Sequence, residues 1–227
     1  MARRELLEQG FVHVRAAIPA ADIEALRPLV LRHAAHLDTD GELRWLAVDD
    51  AEIRRSAALA GLSDLASRLL GTRGVRTFDH AICRVPDDPR TTRWHQDIAY
   101  NERRHVRQGV HLWVALQDVD EALGPLRYVR APHPAPMFEH RPVPGTTRLE
   151  LVVDDAEAVR LPVVVGDVLA HLPATPHAAL PNLGAVERWS WTVQYRPWWS
   201  LPRPAAVTGW PPRSRGPGRP GSARGRT

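Results

Sequence analysis

Apolar residues recur at helical spacing through most of the first 71 positions. An initial helix is followed by a short β-prone run at 11–14 (FVHV) and then by a turn. The second helix is marked by Ile23, Leu26, Leu29 and Val30. Residues 51–71 predict another helix pair, which ends at Gly71. The N-terminal third is therefore predicted to be mainly helical.

The pattern changes after residue 71. Short β-prone runs such as VRTFDHAICRV, GVHLWVALQDV and RWSWTVQYRP alternate with turns rich in Pro, Gly and Asp. Many short strands separated by turns indicate a β-sandwich or barrel. We find no internal repeat. The predicted architecture is α+β, with N-terminal helices packed on a mostly antiparallel β-core of roughly residues 70–200.

The last β-prone run, residues 188–195, alternates with a period of two. One face carries Trp189, Trp191, Val193 and Tyr195. The other face is polar and carries Arg188, Ser190, Thr192 and Gln194. Such a face is either exposed or lines a polar pocket. An arginine there can bind a carboxylate through two hydrogen bonds, and Ser190 can add a hydroxyl donor.

A histidine and a carboxylate lie two residues apart in His95-Gln96-Asp97. Because side chains alternate in a strand, His95 and Asp97 would point to one face and could bind one ion. An iron(II) oxygenase needs two histidines and one carboxylate on one side of an octahedron, with three positions left open. The third ligand must come from another strand, and with 11 histidines in the chain spacing alone does not choose it.

Composition limits the class of protein. A chain of 227 residues fits one domain, predicted at 1–200, and no apolar run is long enough to span a membrane. The N-terminus shows no secretory signal pattern. The single cysteine, Cys83, is expected to be a small buried residue and agrees with a reducing cytoplasm, the predicted location.

The sequence pI near 10.1 suggests nucleic-acid binding, but the distribution of charge argues against it. All 30 basic residues are arginine. Residues 201–227 contain six of them and no acid, which leaves 24 arginines against 26 acids in residues 1–200, a net charge of −2. The Pro-, Gly- and Arg-rich segment 201–227 is predicted to be a disordered tail. We therefore expect no specific nucleic-acid partner.

Several motifs together resemble the phytanoyl-CoA dioxygenase family. They are WHQDIAY (94–100), GDVLAHLPATPHAALPN (166–182) and an arginine eleven residues after His177. The segment HLWVALQDVDEALGPLRYVRAPH (111–133) and the opening RELLEQGFVHV are also similar to that family. The resemblance extends over about residues 4–197. It implies a double-stranded β-helix, which is a jelly-roll barrel of cupin type flanked by helices, and agrees with the strand pattern.

The resemblance also implies a set of cofactors and site residues. Iron(II), 2-oxoglutarate and O2 would serve to hydroxylate a C–H bond of a small-molecule substrate, with release of succinate and carbon dioxide. The implied metal ligands are His95, Asp97 and His177. The implied cofactor-binding residues are Arg188, which pairs with the far carboxylate of 2-oxoglutarate, with Ser190, Trp113 and Arg84. Gln96 and Asn182 are candidates for the substrate pocket.

Some features differ from the family pattern or leave alternatives open. His171 competes with His177 as third metal ligand, although the spacing to Arg188 favours His177. The turn Arg-Ala-Pro-His at 130–133 departs from the family's usual Pro-Gly-Ser-His, so substrate identity does not transfer. The presence of Asp97 disfavours halogenation.

The sequence is also compatible with two other classes of function. A cupin-like isomerase or hydrolase holding zinc would keep the metal ligands but would not need Arg188. A non-catalytic regulatory protein would instead use the basic tail to bind an acidic partner.

Overall fold

The chain is described by a computed structural model for residues 1–88, 91–100, 108–146 and 148–201. The predicted tail lies outside the described residues from position 202 onward. Within the described part, no helix is both long enough and apolar enough to cross a lipid bilayer.

The N-terminal part contains the predicted helices and two short strands. In chain order they are α1 (Ala2–Gln9), β1 (Phe11–Val14), α2 (Ala20–Leu31), β2 (Glu42–Arg44), α3 (Leu46–Asp49), α4 (Ala51–Arg54) and α5 (Ala57–Leu70). Helix α5 begins where the Ser56 hydroxyl accepts the Leu59 N–H and ends at Gly71, which has φ 71°. These are the capping interactions that favour a helix at its two ends.

The remaining strands form the β-core. They are β3 (Gly74–Arg84), β4 (Thr92–His95), β5 (Val110–Ala115), β6 (Leu126–Tyr128), β7 (Arg141–Pro142), β8 (Leu149–Glu150), β9 (Val159–Leu161), β10 (Val168–His171), β11 (His177–Ala179) and β12 (Arg188–Pro197). Their pairing is antiparallel. The predicted class is therefore confirmed: helices pack on a jelly-roll core.

Two sheets form the barrel. The larger has the strand order β1-β10-β5-β12-β3-β2, and the smaller has the order β4-β11-β6-β9. An apolar cluster between the sheets joins Trp113 and Leu169 of the larger sheet to Leu126 and Tyr128 of the smaller one. The space between the sheets is thus the barrel interior, where side chains from both can meet.

The outer face of the larger sheet packs against the helices. Trp191 of β12 and Leu112 of β5 belong to the same buried cluster as Leu62 of α5 and Ile23 of α2. Since side chains alternate along each strand, the opposite faces of β12, β5, β10 and β3 point into the barrel. The register places Arg188 opposite Arg84, and His171 opposite His111, on that inner side.

Candidate active site

The three predicted metal ligands converge where the end of β4 meets the start of β11 in the smaller sheet. They are His95, Asp97 and His177. His95 ends β4, His177 begins β11, and the two residues are paired across the sheet. Asp97 does not continue β4 but begins a 3₁₀ turn. One carboxylate oxygen lies 3.5 Å from His95 Nε2, and the other lies 3.8 Å from His177 Nε2. One potential ligand atom from each residue lies within 4.8 Å of the others.

Backbone hydrogen bonds fix the imidazoles of His95 and His177. His95 Nδ1 lies 2.8 Å from the Arg93 carbonyl oxygen, and His177 Nδ1 lies 3.0 Å from the Thr175 carbonyl oxygen. A carbonyl can only accept, so each Nδ1 carries the proton and each Nε2 keeps its lone pair. This arrangement is typical of histidines that bind a metal through Nε2.

Two further histidines contact the same carboxylate. His111 Nδ1 donates to Asp97 Oδ2 at 2.6 Å, and His171 Nε2 donates to that oxygen at 3.1 Å. The Tyr128 hydroxyl lies 3.2 Å from His171 Nδ1. Asp97, His111 and His171 form a second group with metal-ligand spacing, sharing Asp97 with the first. Geometry alone therefore presents two overlapping sets of donors.

The electrostatics of the cluster favour a charged carboxylate at Asp97 and neutral imidazoles at His171 and His177. Burial alone would raise the pKa of Asp97, but His111 and His177, with hydrogen bonds from His111 and His171, hold that pKa well below its usual value. Burial, reinforced by His95 and His171, holds the pKa of His177 well below its usual range. Burial also lowers the pKa of His171. Ionised carboxylate and neutral imidazole are the protonation states that bind metals.

Arg188 lies inside the barrel at the start of β12, only 2% exposed. Its Nη1 donates to the carbonyl oxygen of Gly124. Gly124 has φ 77°, and a Cβ on it would lie 2.3 Å from the Pro181 carbonyl oxygen. Only glycine permits this close approach. Burial and the neighbouring Arg84 lower the pKa of Arg188 to about 10.

Two buried polar atoms beside each other lack a hydrogen-bond partner within the described part of the chain. They are Nε of Arg188 and Oγ of Ser190. Leaving such groups unpaired is costly, about 1–3 kcal/mol for each. The guanidinium and the hydroxyl lie on one inward face of β12, as the alternation predicts. Together they fit an oxygen-rich anion such as a carboxylate.

Arg84 and Trp113 also lie on the inner side of the larger sheet. Arg84 is 3% exposed, stands opposite Arg188, and donates from Nη1 to the Asp40 carbonyl oxygen at 2.7 Å. Trp113 lies opposite Thr192 and packs in the apolar cluster between the sheets. The structure thus brings both residues to the barrel interior.

The side chains of Gln96 and Asn182 bind backbone instead of lining a pocket. Gln96 is fully buried; its amide donates to the Pro136 and Ala174 carbonyl oxygens, and its oxygen accepts the Phe138 N–H at 2.7 Å. Asn182 donates to the carbonyl oxygens of Arg84 and Val186, both at 2.8 Å, and accepts the Gly184 N–H. The polar groups of both side chains hold loops, and neither residue is among those that line the cavity described next.

A cavity of about 500 Å³ opens beside the metal residues. His95, Asp97 and His111 are among its lining residues, whereas Arg188 and Ser190 are not. Its other walls include Gln194, from the predicted polar face of β12, and three residues that no sequence pattern indicated, namely Trp45, Phe78 and Arg148. His80, which the sequence analysis did not choose as a ligand, also lines it. No motif marks Trp45, Phe78 or Arg148, because Trp45 follows β2, Phe78 lies in β3 and Arg148 precedes β8, and these segments meet only in the folded chain.

A jelly-roll barrel with two histidines and a carboxylate on one side of its interior defines a mononuclear metalloenzyme of the cupin type. The sequence model of the Phytanoyl-CoA dioxygenase (PhyH) family matches residues 6–190, and the chain therefore belongs to this family. The predicted family is confirmed. No curated protein is significantly similar to the chain in sequence.

Solved structures share the fold. EvdO2 from Micromonospora carbonacea var. aurantiaca, crystallised with 2-oxoglutarate, is 23% identical over 86% of this chain and 89% of its own, with a TM-score of 0.76. The epimerase SnoN, in complex with Fe3+, alpha ketoglutarate and nogalamycin RO, is 20% identical over 86% and 82%, with a TM-score of 0.70. The carbocyclase SnoK from nogalamycin biosynthesis is 22% identical over 86% and 83%, also with a TM-score of 0.70.

Proposed function

We propose that this protein is an iron(II)- and 2-oxoglutarate-dependent oxygenase that hydroxylates a C–H bond of a small-molecule substrate. The observation that carries the proposal is the convergence of two backbone-fixed histidines on one ionised carboxylate beside a cavity of about 500 Å³. Two neutral imidazoles and a carboxylate on one face are the donor set of non-haem iron(II) oxygenases. Membership of the dioxygenase family agrees with this chemistry.

Of the two overlapping donor sets, we propose that His95, Asp97 and His177 hold the iron. His95 and His177 keep Nε2 lone pairs because their Nδ1 atoms are bound to backbone carbonyls. His111 and His171 instead donate directly to Asp97. We therefore assign His111 and His171 as positioning residues that orient the carboxylate.

The 2-oxoglutarate site is proposed deeper in the barrel. Arg188 and Ser190, whose inward polar atoms lack partners among the described residues, would bind the far carboxylate. Arg84 adds a second positive charge beside Arg188, and Trp113 contributes an apolar wall. A zinc-dependent isomerase or hydrolase would give these buried polar groups no ligand. This is why the oxygenase is preferred.

The protein contributes mainly position and the exclusion of water. When bound, iron, 2-oxoglutarate and O2 supply the oxidising power, with succinate and carbon dioxide as co-products. His111 and His171 fix the direction of Asp97, and the cavity places one carbon of the substrate near His95 and Asp97. Hydroxylation is proposed because it requires no further group from the protein. The nogalamycin-biosynthesis structures support a natural-product substrate.

An anaerobic ultraviolet–visible titration tests the proposal. Wild-type protein with iron(II) and 2-oxoglutarate should show a weak visible charge-transfer band. His177→Ala should lose the band, whereas Arg188→Ala should need about 10- to 100-fold more 2-oxoglutarate because a charge-assisted carboxylate contact is lost. The exposed His36 and the exposed ion pair of Arg160 provide matched controls, His36→Ala and Arg160→Ala.

Bound iron without any band on addition of 2-oxoglutarate would contradict the proposal. Product analysis by mass spectrometry then separates the possible reactions once a substrate is found. A gain of one oxygen atom supports hydroxylation. Loss of two hydrogen atoms or an unchanged mass would instead indicate ring formation or epimerisation.

A further inference from the structure

The mouth of the cavity has an aromatic wall. The indole of Trp45 packs edge-on against the ring of Phe78, with centroids 4.7 Å apart and an interplanar angle of 84°. Both residues line the cavity, and Trp45 is 45% exposed although its side chain is large and apolar. The ring of Tyr100, which also lines the cavity, lies edge-on to the His95 imidazole, at 5.8 Å. Aromatic rings therefore line the cavity both at Trp45 and beside a proposed metal ligand.

The backbone holds Trp45 in an unusual conformation. Its φ is 64°, in the left-handed region that a bulky residue rarely adopts. The Trp45 N–H donates to the Asp79 carbonyl oxygen at 2.8 Å, and the Trp45 carbonyl oxygen accepts the N–H groups of Val48 and Asp49. Backbone strain of this kind persists where neighbouring structure enforces it and is concentrated at ligand-binding positions. An exposed tryptophan held this firmly is prepared to contact a ligand.

The charged groups around the cavity are largely neutralised by one another. Arg148 pairs with Glu42 at 3.1 Å and with Asp40 at 3.2 Å. Arg44 pairs with Glu42 at 2.7 Å. Arg93 pairs with Glu150 at 2.5 Å, and Arg196 also has an interaction partner. The described lining thus pairs its arginines with partners, an arrangement poorly suited to binding several phosphate groups.

Uncharged polar groups complete the lining. The hydroxyl group of Thr92 and the amide group of Gln194 face the same cavity. Such groups match the hydroxyl and carbonyl oxygens of a neutral ligand. The volume of about 500 Å³ lies within the range of pockets that enclose small organic molecules.

We propose that the substrate is an uncharged, hydroxylated compound with a ring that packs against Trp45, and that Trp45 determines substrate specificity. This inference rests on the proposed function, since it concerns the same site. Aromatic rings and sugar rings both present a flat, partly apolar face, and either would satisfy the contact. A linear acyl-CoA thioester would lack such a ring at the reacting end and would add unpaired negative charge.

Equilibrium binding to the full-length protein tests the inference. The probes are 1,8-dihydroxyanthraquinone, maltose and lauroyl-CoA, and binding is measured by calorimetry with metal-free protein and again with iron(II) and 2-oxoglutarate under anaerobic conditions. At least one ring probe should bind more tightly than lauroyl-CoA. Trp45→Ala should weaken its binding about tenfold, while Trp45→Phe should retain most of the affinity because a ring is kept.

The control variant is Trp198→Ala, which removes a similarly exposed indole (57%, against 45% for Trp45) that does not line the cavity. It should leave binding unchanged. Circular dichroism of Trp45→Ala and Trp45→Phe checks that both fold. Comparison of the two ring probes identifies whether an aromatic or a sugar ring is preferred.

Three outcomes overturn the inference: equal affinity in Trp45→Ala and wild type, tighter binding of lauroyl-CoA, or no measurable binding of either ring probe. Failure of the proposed function is recognised separately. In that case 2-oxoglutarate gives no charge-transfer band, while the metal-free protein still binds a ring probe in a manner that depends on Trp45.

Discussion

The two faces of β12 differ in whether their buried polar atoms have hydrogen-bond partners. On the outer face the polar atom of each aromatic side chain has a partner. Trp191 Nε1 donates to Asp79 at 3.2 Å, Tyr195 shares a hydrogen bond with Ser63 at 3.0 Å, and Trp189 Nε1 donates to Glu187 at 2.8 Å. On the inner face, Nε of Arg188 and Oγ of Ser190 are buried without partners among the described residues.

This difference separates stability from function within one strand. Native proteins rarely leave buried polar atoms unpaired, because each costs free energy. Where a structure tolerates such atoms, a ligand is the natural partner, and local rules are expected to fail at functional sites. The outer face therefore builds the core with α5, and the inner face carries the residues proposed to bind 2-oxoglutarate.

The largest effect on stability is expected from a substitution on the outer face of β12. Trp191→Ala removes a fully buried indole from the main core and should lower the free energy of unfolding by about 3–5 kcal/mol. Urea denaturation measures the change. Under conditions where the variant is still folded, its affinity for 2-oxoglutarate should equal that of wild type. A large loss of affinity in the folded variant would contradict the separation of the two faces.

A smaller, pH-dependent effect is expected at Glu42, an inward-facing acid whose charge is paired. Burial alone would raise its pKa, but His80, Arg148 and Arg44 lower the pKa from 4.5 to about 2. A depressed pKa in the folded state stabilises the protein above pH 4.5, and this contribution is lost as the pH falls towards 2. At pH 7, Glu42→Gln should therefore lower the unfolding free energy by about 1–3 kcal/mol.

Unfolding of wild type and Glu42→Gln at several pH values checks this sign. The difference between the two proteins should be largest near neutral pH and should shrink below pH 4.5. A difference that grows at acidic pH would show that the charge of Glu42 does not stabilise the fold.

Replacement of Arg188 should have the opposite effect to Trp191→Ala. It should weaken the binding of 2-oxoglutarate and leave the free energy of unfolding nearly unchanged. Arg188→Met keeps an apolar stem but removes the buried charge, so the unfolding free energy should change by no more than about 1 kcal/mol. The affinity for 2-oxoglutarate should fall about 10- to 100-fold. Calorimetry and urea denaturation on the same sample measure both quantities. Loss of stability without loss of affinity would place Arg188 with the structural residues of the outer face.

One substitution tests which of the two donor sets around Asp97 binds the metal. His111→Asn should weaken metal binding about 10- to 100-fold, the usual effect of changing a residue that orients a ligand. If His111 were itself a ligand, metal binding would be abolished while His177→Ala would retain it. Calorimetric titration with iron(II) measures the affinities. His13→Asn is the control, because His13 bonds Asp167 at 2.7 Å and belongs to neither donor set.

Local patterns in the sequence explain most of the fold. The alternation over 188–195 matches the observed division of β12 into a core face and an inner face. The predicted end of α5 at Gly71 is confirmed by its left-handed conformation. These features depend on periodicity and capping, which a single sequence displays.

Other parts depend on distant pairing and leave little trace in the sequence. Strand β2 has only three residues, and β3 holds it in place. Trp45 reaches the cavity through this pairing. His111 lies within an apolar run of β5, whereas Asp97 follows β4 of the smaller sheet, so their polar contact appears only once the two sheets face each other. The roles of Gln96 and Asn182 also depend on loops brought together by folding.

Strand β2 is the last strand of the larger sheet and pairs on one side only. The segment that delivers Trp45 is thus attached at the margin of the barrel, whereas His95, Asp97 and His177 come from a later, separate stretch of the chain. In genetic terms, the stretch that encodes the residue proposed to choose the substrate is separate from the stretch that encodes the proposed metal ligands. Exchange of the short segment around β2 between homologous genes would offer a route to new substrates that leaves the oxidising centre intact.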